Sequence, residues 1–184
     1  KELLKQAVKV DNTKADAVSA WTEESEGIYK ASYTAHLIGD KLTAQLTMPG
    51  WQTKHSDAFS IAGDKDTAKI AAMQITANNA VARRDHNTVA VTVRDVHQNL
   101  LQGQNVTFTV VNGAAVFADP NGGIVTTDKD GIASINLASD QAVNSLIKAE
   151  INGSSQSVEV SFITGDISQL TSTIKTDDVS YTAG

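Results

Sequence analysis

Residues 88–111 alternate between apolar and polar positions. Val89, Val91 and Val93 share one parity, and Val106, Phe108 and Val110 share another. Side chains of a strand point to opposite faces in turn, so each run buries one face and wets the other. The polar segment between them holds Asn99 and Gly103, which suits a chain turning over a sheet edge. The two runs read as a hairpin-like pair, the inner wall of a β-sandwich.

The same pattern extends in both directions. Residues 1–10 fit either a helical face or, in Ala7-Val-Lys-Val10, a short strand, and the strand is favoured. Residues 11–26 read as a long polar connection with Trp21 pinned to a core. Residues 27–35 alternate with Tyr29, Ala31, Tyr33 and Ala35 on one side. Residues 41–48 alternate with Leu42, Ala44, Leu46 and Met48 inward, until Pro49-Gly50 breaks the run. Residues 58–61 close that unit, and Ala62-Gly-Asp-Lys-Asp66 forms a short polar linker. Beyond it, strand-like runs are separated by turns at residues 120–123, at Asp128-Lys-Asp-Gly131 and at Asn152-Gly153. Roughly seven or eight strands in about 95 residues is the spacing of an immunoglobulin-like sandwich.

Self-comparison exposes a repeat. Gly27-Ile28 returns as Gly131-Ile132, Leu42-Thr-Ala-Gln-Leu46 as Ile147-Lys-Ala-Glu-Ile151, and Phe59 as Phe162, all at nearly the same offset. Residues 174–183 echo residues 75–82 more weakly. A period of roughly 100 residues predicts an all-β chain of tandem immunoglobulin-like sandwiches. Residues 1–64 would be the C-terminal part of one domain, residues 67–164 a complete domain, and residues 166–184 the N-terminal strand region of a third. Linkers this short hold neighbours end to end, as a rod. The abrupt start and stop predict a segment of a longer protein. They also predict that residues 166–184 either are unordered or pair with the partial unit of another copy, a strand exchange between truncated chains.

Composition narrows the function. At 41% hydrophobic residues the 184-residue chain supports packed cores. A net charge of -6 gives no basic footprint, so nucleic acid is not an expected partner. There is no cysteine, which points to a cytosolic protein or a bacterial surface protein that avoids thiols.

Candidate chemistry is sparse. His36, His55, His86 and His97 show no metal-ligand spacing on one element and read as loop residues. Asp128-Lys-Asp-Gly131 lacks the distal ligands of a calcium loop and reads as a β-turn whose aspartates bond local amides. Asp64 and Asp66, in the linker, are the weaker alternative for calcium between domains. No nucleophile elbow, phosphate loop or carboxylate pair is present, so no catalytic, cofactor or metal residue is assigned and any ligand-binding residue is unknown. Asn105-Val-Thr107 and Asn152-Gly-Ser154 match a glycosylation sequon that a bacterial protein would leave bare. Trp21 and Trp51 each read as a core or interface anchor. Were both exposed, they would suit a carbohydrate-binding or accessory module of a secreted bacterial enzyme, the alternative function.

Asp95-Val-His-Gln-Asn-Leu-Leu-Gln-Gly103, followed by Val106-Thr-Phe108, resembles the Asp-x-x-Gly-Asn-x-x-x-Gly signature of the bacterial immunoglobulin-like repeats of invasin and intimin. Thr126-Thr-Asp-Lys-Asp-Gly-Ile-Ala133 is similar to the family's Thr-x-x-Gly-x-Ala turn, and Ser180-Tyr-Thr-Ala-Gly184 looks like its repeat opening. Gln98 stands where the family usually has Gly, which predicts a differently shaped turn. The resemblance implies a non-enzymatic adhesin on the bacterial cell surface, outside the outer membrane. It implies a membrane barrel passing a rod of such domains outward to a host protein or glycan. The family's lectin-like cap relies on cysteines, so this cysteine-free chain is expected to be stalk or a near-tip repeat with neighbouring domains as its partners, or else a spacer without a ligand.

Overall fold

The computed structural model describes residue 4, residues 7–13 and residues 18–166. The repeat opening and the strand exchange expected of the tail fall on residues 167–184 and lie outside those described. The first part contains β1 (Val8–Val10), β2 (Thr22–Ser25), β3 (Ile28–Lys30), β4 (Gly39–Leu42), β5 (Ala44–Leu46), β6 (Lys54–His55) and β7 (Phe59–Ile61). They form small antiparallel sheets in the orders β1-β5-β6, β2-β3 and β4-β7. A 3-10 turn (Lys65–Thr67) follows.

The second part contains β8 (Lys69–Ala77), β9 (Ala80–Val81), β10 (Asn87–Arg94), β11 (Asn105–Asn112), β12 (Val116–Phe117), β13 (Ile124–Thr126), β14 (Ile132–Ala138), β15 (Asn144–Ile151) and β16 (Ser154–Ile163). A four-stranded sheet, β12-β14-β10-β8, and a five-stranded sheet, β13-β11-β15-β16-β9, make the two layers. Val89, Val91 and Val93 of β10, with Ala133, Ile135 and Leu137 of β14, are buried in one core with Val106 and Phe108 of β11, Ile147 and Ala149 of β15, and Val160 and Phe162 of β16. Alternate positions such as Thr107, Thr109 and Lys148 face outward. Burial of one parity on each strand holds the register, since a slip of one residue would turn the whole apolar set to water.

The first strand serves both sheets. β8 pairs with β10, whereas β9 pairs in parallel with β16. Asn87 secures the crossing. It is fully buried; its Oδ1 accepts the Ala80 N–H at 3.0 Å and its Nδ2 donates to Ser161 O at 2.9 Å. A buried amide used on both sides incurs no orphan-group penalty and specifies one arrangement.

Three expectations are corrected. β10 and β11 are not neighbours in one wall; they belong to opposite sheets, and residues 95–104 carry the chain across. Periodicity reports which face is buried, not which strand lies alongside. The strand expected over residues 41–48 is broken into β4 and β5, because Lys41 adopts φ 54° and Thr43 turns its N–H and hydroxyl to Asp11 Oδ2. The run at residues 27–35 keeps only β3, whose partner β2 lies inside the stretch expected to be a connection, residues 11–26. Among the described residues, every buried one lies between Ala68 and Phe162.

Candidate functional site at the joint between units

The groups with the most specific geometry gather where the first part meets the sandwich. Asp95 directly follows β10 and is 4% exposed. Its Oδ1 accepts the N–H groups of His97 and Asn99, both at 2.9 Å. Its Oδ2 accepts the Asp64 N–H at 3.2 Å and the Asn99 Nδ2 at 2.8 Å. Burial pushes the carboxyl up, but the donors from Asn99, Asp64 and His97 outweigh it and hold it below the usual aspartate range. One carboxylate thus fastens the turn after β10 to the linker.

Asn99 extends that hub into the first part. Its Nδ2 also donates to His36 O at 2.8 Å, and its Oδ1 accepts the Ile38 N–H at 3.3 Å. The side-chain amide uses both donors and its acceptor. Beside it the His36 and His97 rings lie 4.3 Å apart, tilted by 33°. Thr67 Oγ1 accepts the Val96 N–H at 3.2 Å, and Asn152 Nδ2 donates to Lys65 O at 3.0 Å. Gly63 packs so closely that a Cβ there would stand 2.3 Å from Leu101 Cδ2. An open cleft of about 400 Å³ runs along the joint between Ile38 and Ile61 on one side and Leu100, Leu101 and Lys129 on the other.

The chemistry here is that of a fastening. Of the two linker aspartates considered for calcium, Asp64 uses its Oδ1 to cap the Asp66 N–H at 3.1 Å. Among the described residues, no three histidine or acidic side chains gather where a metal ion could be held. Asp128 Oδ1 accepts from Asp130 N and Ile132 N, with Gly131 at φ 69° completing a tight turn. His36 and His97 come together from separate elements, a meeting that no spacing in the sequence foretells. His55 and His86 lie elsewhere. Trp21 is half-buried, whereas Trp51, expected as an anchor in a core or interface, is 64% exposed. The Asn152-Gly153 connection is a two-residue hairpin turn with φ 46° and 75°.

Gln98 adopts φ 70°, the left-handed conformation that Gly would supply without strain. Gln98→Gly is therefore expected to stabilise the sandwich by about 0.5–1 kcal/mol, once lost strain is set against the freer unfolded chain. A higher urea midpoint with an unchanged slope is the observation that checks it.

Two sheets with a first strand shared between them, packed about one core, define an immunoglobulin-like domain. The chain belongs to the family of bacterial immunoglobulin-like domains of group 1, which matches residues 70–163. It is 36% identical over 171 residues to the inverse autotransporter adhesin YeeJ of Escherichia coli strain K12, covering 91% of this chain and 7% of that protein. The Escherichia coli adhesin FdeC superposes with a TM-score of 0.58 at 18% identity, over 88% of this chain and 53% of that one, a likeness of fold. The D00-D0 domain of intimin aligns over 85% of this chain and 84% of its own at TM-score 0.48 and 17% identity.

Proposed function

We propose that this chain is a stalk segment of an inverse-autotransporter-type adhesin, exposed on the bacterial surface, where it holds a binding region away from the cell. On this reading residues 1–64 are the C-terminal part of one immunoglobulin-like domain, residues 67–164 a complete one and residues 166–184 the opening of the next. The partners at its ends are further domains of the same kind, and the host protein or glycan is met elsewhere along the rod. The work is mechanical and involves no catalysis. The 36% identity to an adhesin supports the class.

The observation that carries the stalk role is the Asp95–Asn99 hub. A linker of a few residues leaves a hinge unless something restrains it, and here side-chain hydrogen bonds from one unit end on backbone groups of the other. Small-angle X-ray scattering tests this. The chain is expected to give an extended profile with a narrow spread of lengths. Asn99→Ala removes all three of its side-chain bonds and is expected to broaden that spread while the sandwich stays folded by circular dichroism. A profile that Asn99→Ala leaves unchanged would sink the role assigned to the hub.

A further inference from the structure

Trp51 is presented in a way that a disordered loop would not achieve. Met48-Pro-Gly-Trp51 forms a turn closed by the Trp51 N–H on Met48 O at 3.0 Å, with Gly50 at φ 77°. Pro at the second position and Gly at the third are the residues a type II turn requires. The neck of the loop is closed by the Thr47 and Thr53 hydroxyls, 3.3 Å apart. A stiff turn thus holds up an indole that is 64% exposed. Large aromatic groups on rigid supports are the anchors of protein interfaces, because little freedom is lost when they dock.

The position of this loop identifies its occupant. In the sandwich, β15 and β16 form a hairpin whose tip, Asn152-Gly153, touches the preceding linker at Lys65 O. In the first part, β4 and β5 pair with β7 and β6 to form the corresponding hairpin, aligned by the repeat of residues 42–46 at residues 147–151. Its tip is the loop from Thr47 to Thr53. The opposite end of that hairpin, at Gly39 and Ile61, adjoins the joint with the sandwich. At about 3.3 Å per residue, the tip lies about 26 Å from that joint. The acidic turn at Glu23–Gly27, where Glu23 Oε1 accepts the Gly27 N–H at 3.2 Å, corresponds by the same repeat to the Asp128–Gly131 turn beside the joint.

We infer that Trp51 is the docking anchor for an immunoglobulin-like unit preceding this one, the counterpart of the contact that Asn152 makes with the linker at Lys65. The surface it meets is the C-terminal end of such a unit. In this chain that end carries Leu37 and Ile38, 55% and 40% exposed, as an apolar shelf. Basic groups at the rim of the partner would face Glu24 and Glu26. The inference rests on the stacked-unit reading above.

The test compares a base chain, which reaches upstream of Lys1 far enough to complete the unit to which residues 1–64 belong, with an extended chain that adds the whole preceding unit. Both carry Trp21→Phe, which keeps an aromatic ring and removes an indole N–H that finds no acceptor among the described residues. With any tryptophan in the added residues likewise replaced by Phe, Trp51 is then the only fluorophore of its kind. In the extended chain its emission is expected to shift to the blue and its quenching by acrylamide to fall roughly threefold or more, as burial of an exposed indole requires. A folded preceding unit that leaves emission and quenching unchanged overturns the anchor, while the scattering experiment on the Asp95–Asn99 joint still stands or falls by itself. A gene with no immunoglobulin-like unit before Lys1 overturns it outright. So does emission that responds to a glycan array and not to the extension, which would make Trp51 a sugar platform.

Discussion

Asp95→Ala is expected to destabilise the sandwich by about 3 kcal/mol and to free the joint at the same time. The substitution removes the acceptor of four hydrogen bonds and strands the N–H groups of Asp64, His97 and Asn99 in partly buried positions. Bonds to a charged acceptor contribute about 1.5–3 kcal/mol each when one partner is deleted, and those sharing one carboxylate do not add. Asp95→Asn keeps the shape and one acceptor oxygen, so a smaller loss of about 1–2 kcal/mol is expected. The two variants also separate charge from shape through pH. The folded-state carboxyl sits below its ordinary value, so the unfolded chain binds the proton more readily. The stability this group contributes is complete above the unfolded value near 3.9, and it is lost as pH falls through the lower folded value. Wild type should therefore weaken more steeply than Asp95→Asn between pH 5 and pH 2, an interval of roughly the width such linkage spans. Urea titrations followed by circular dichroism at several pH values read the difference. Parallel curves for the two proteins would show that the carboxylate contributes no linkage.

Much of the sandwich was legible because one-sided burial leaves a period of two in the sequence. Val89, Val91, Val93, Val106 and Phe108 all face the core as their parity requires. Turn chemistry was legible for the same local reason: Gly131, Asn152 and Gly153 occupy left-handed conformations that few other residues accept. What escaped was nonlocal or against type. The placement of β10 and β11 in opposite sheets depends on pairing partners tens of residues away. Lys41 and Gln98 take positive φ although neither residue type signals it. The joint was half legible. Asp95 and Asn99 stand in a family-like turn that the sequence shows, but their bonds to residues 36, 38 and 64 join segments with no shared pattern. Trp51, read as an anchor in a core or an interface, is not in a core here, because the Pro-Gly turn before it holds the indole at 64% exposure.

Phe108→Ala is expected to have the larger effect on folding and the smaller effect on the joint. Phe108 is 2% exposed on β11, packed within a single core that draws on both sheets. Removing a buried phenyl ring costs its transfer energy and leaves a cavity that neighbouring strands, held by their ladders, fill poorly; about 3–5 kcal/mol is typical. Phe108 stands three residues into its strand, away from residues 95–99, so its loss should not release Asn99 from His36. The chain offers a way to watch the two parts separately. Both tryptophans lie in the first 64 residues, whereas residues 67–164 contain neither Trp nor Tyr. Trp fluorescence thus reports the first part, and far-ultraviolet circular dichroism reports mainly the strand-rich sandwich. All the buried residues described lie in that sandwich, so the first part should unfold at lower urea than the second in the wild type. Phe108→Ala should move the circular dichroism transition down toward the fluorescence transition and leave the latter in place. If both transitions moved together by the same amount, the joint would be coupling the units into one cooperative body. The fluorescence midpoint of Asp95→Ala would then have to fall with its circular dichroism midpoint.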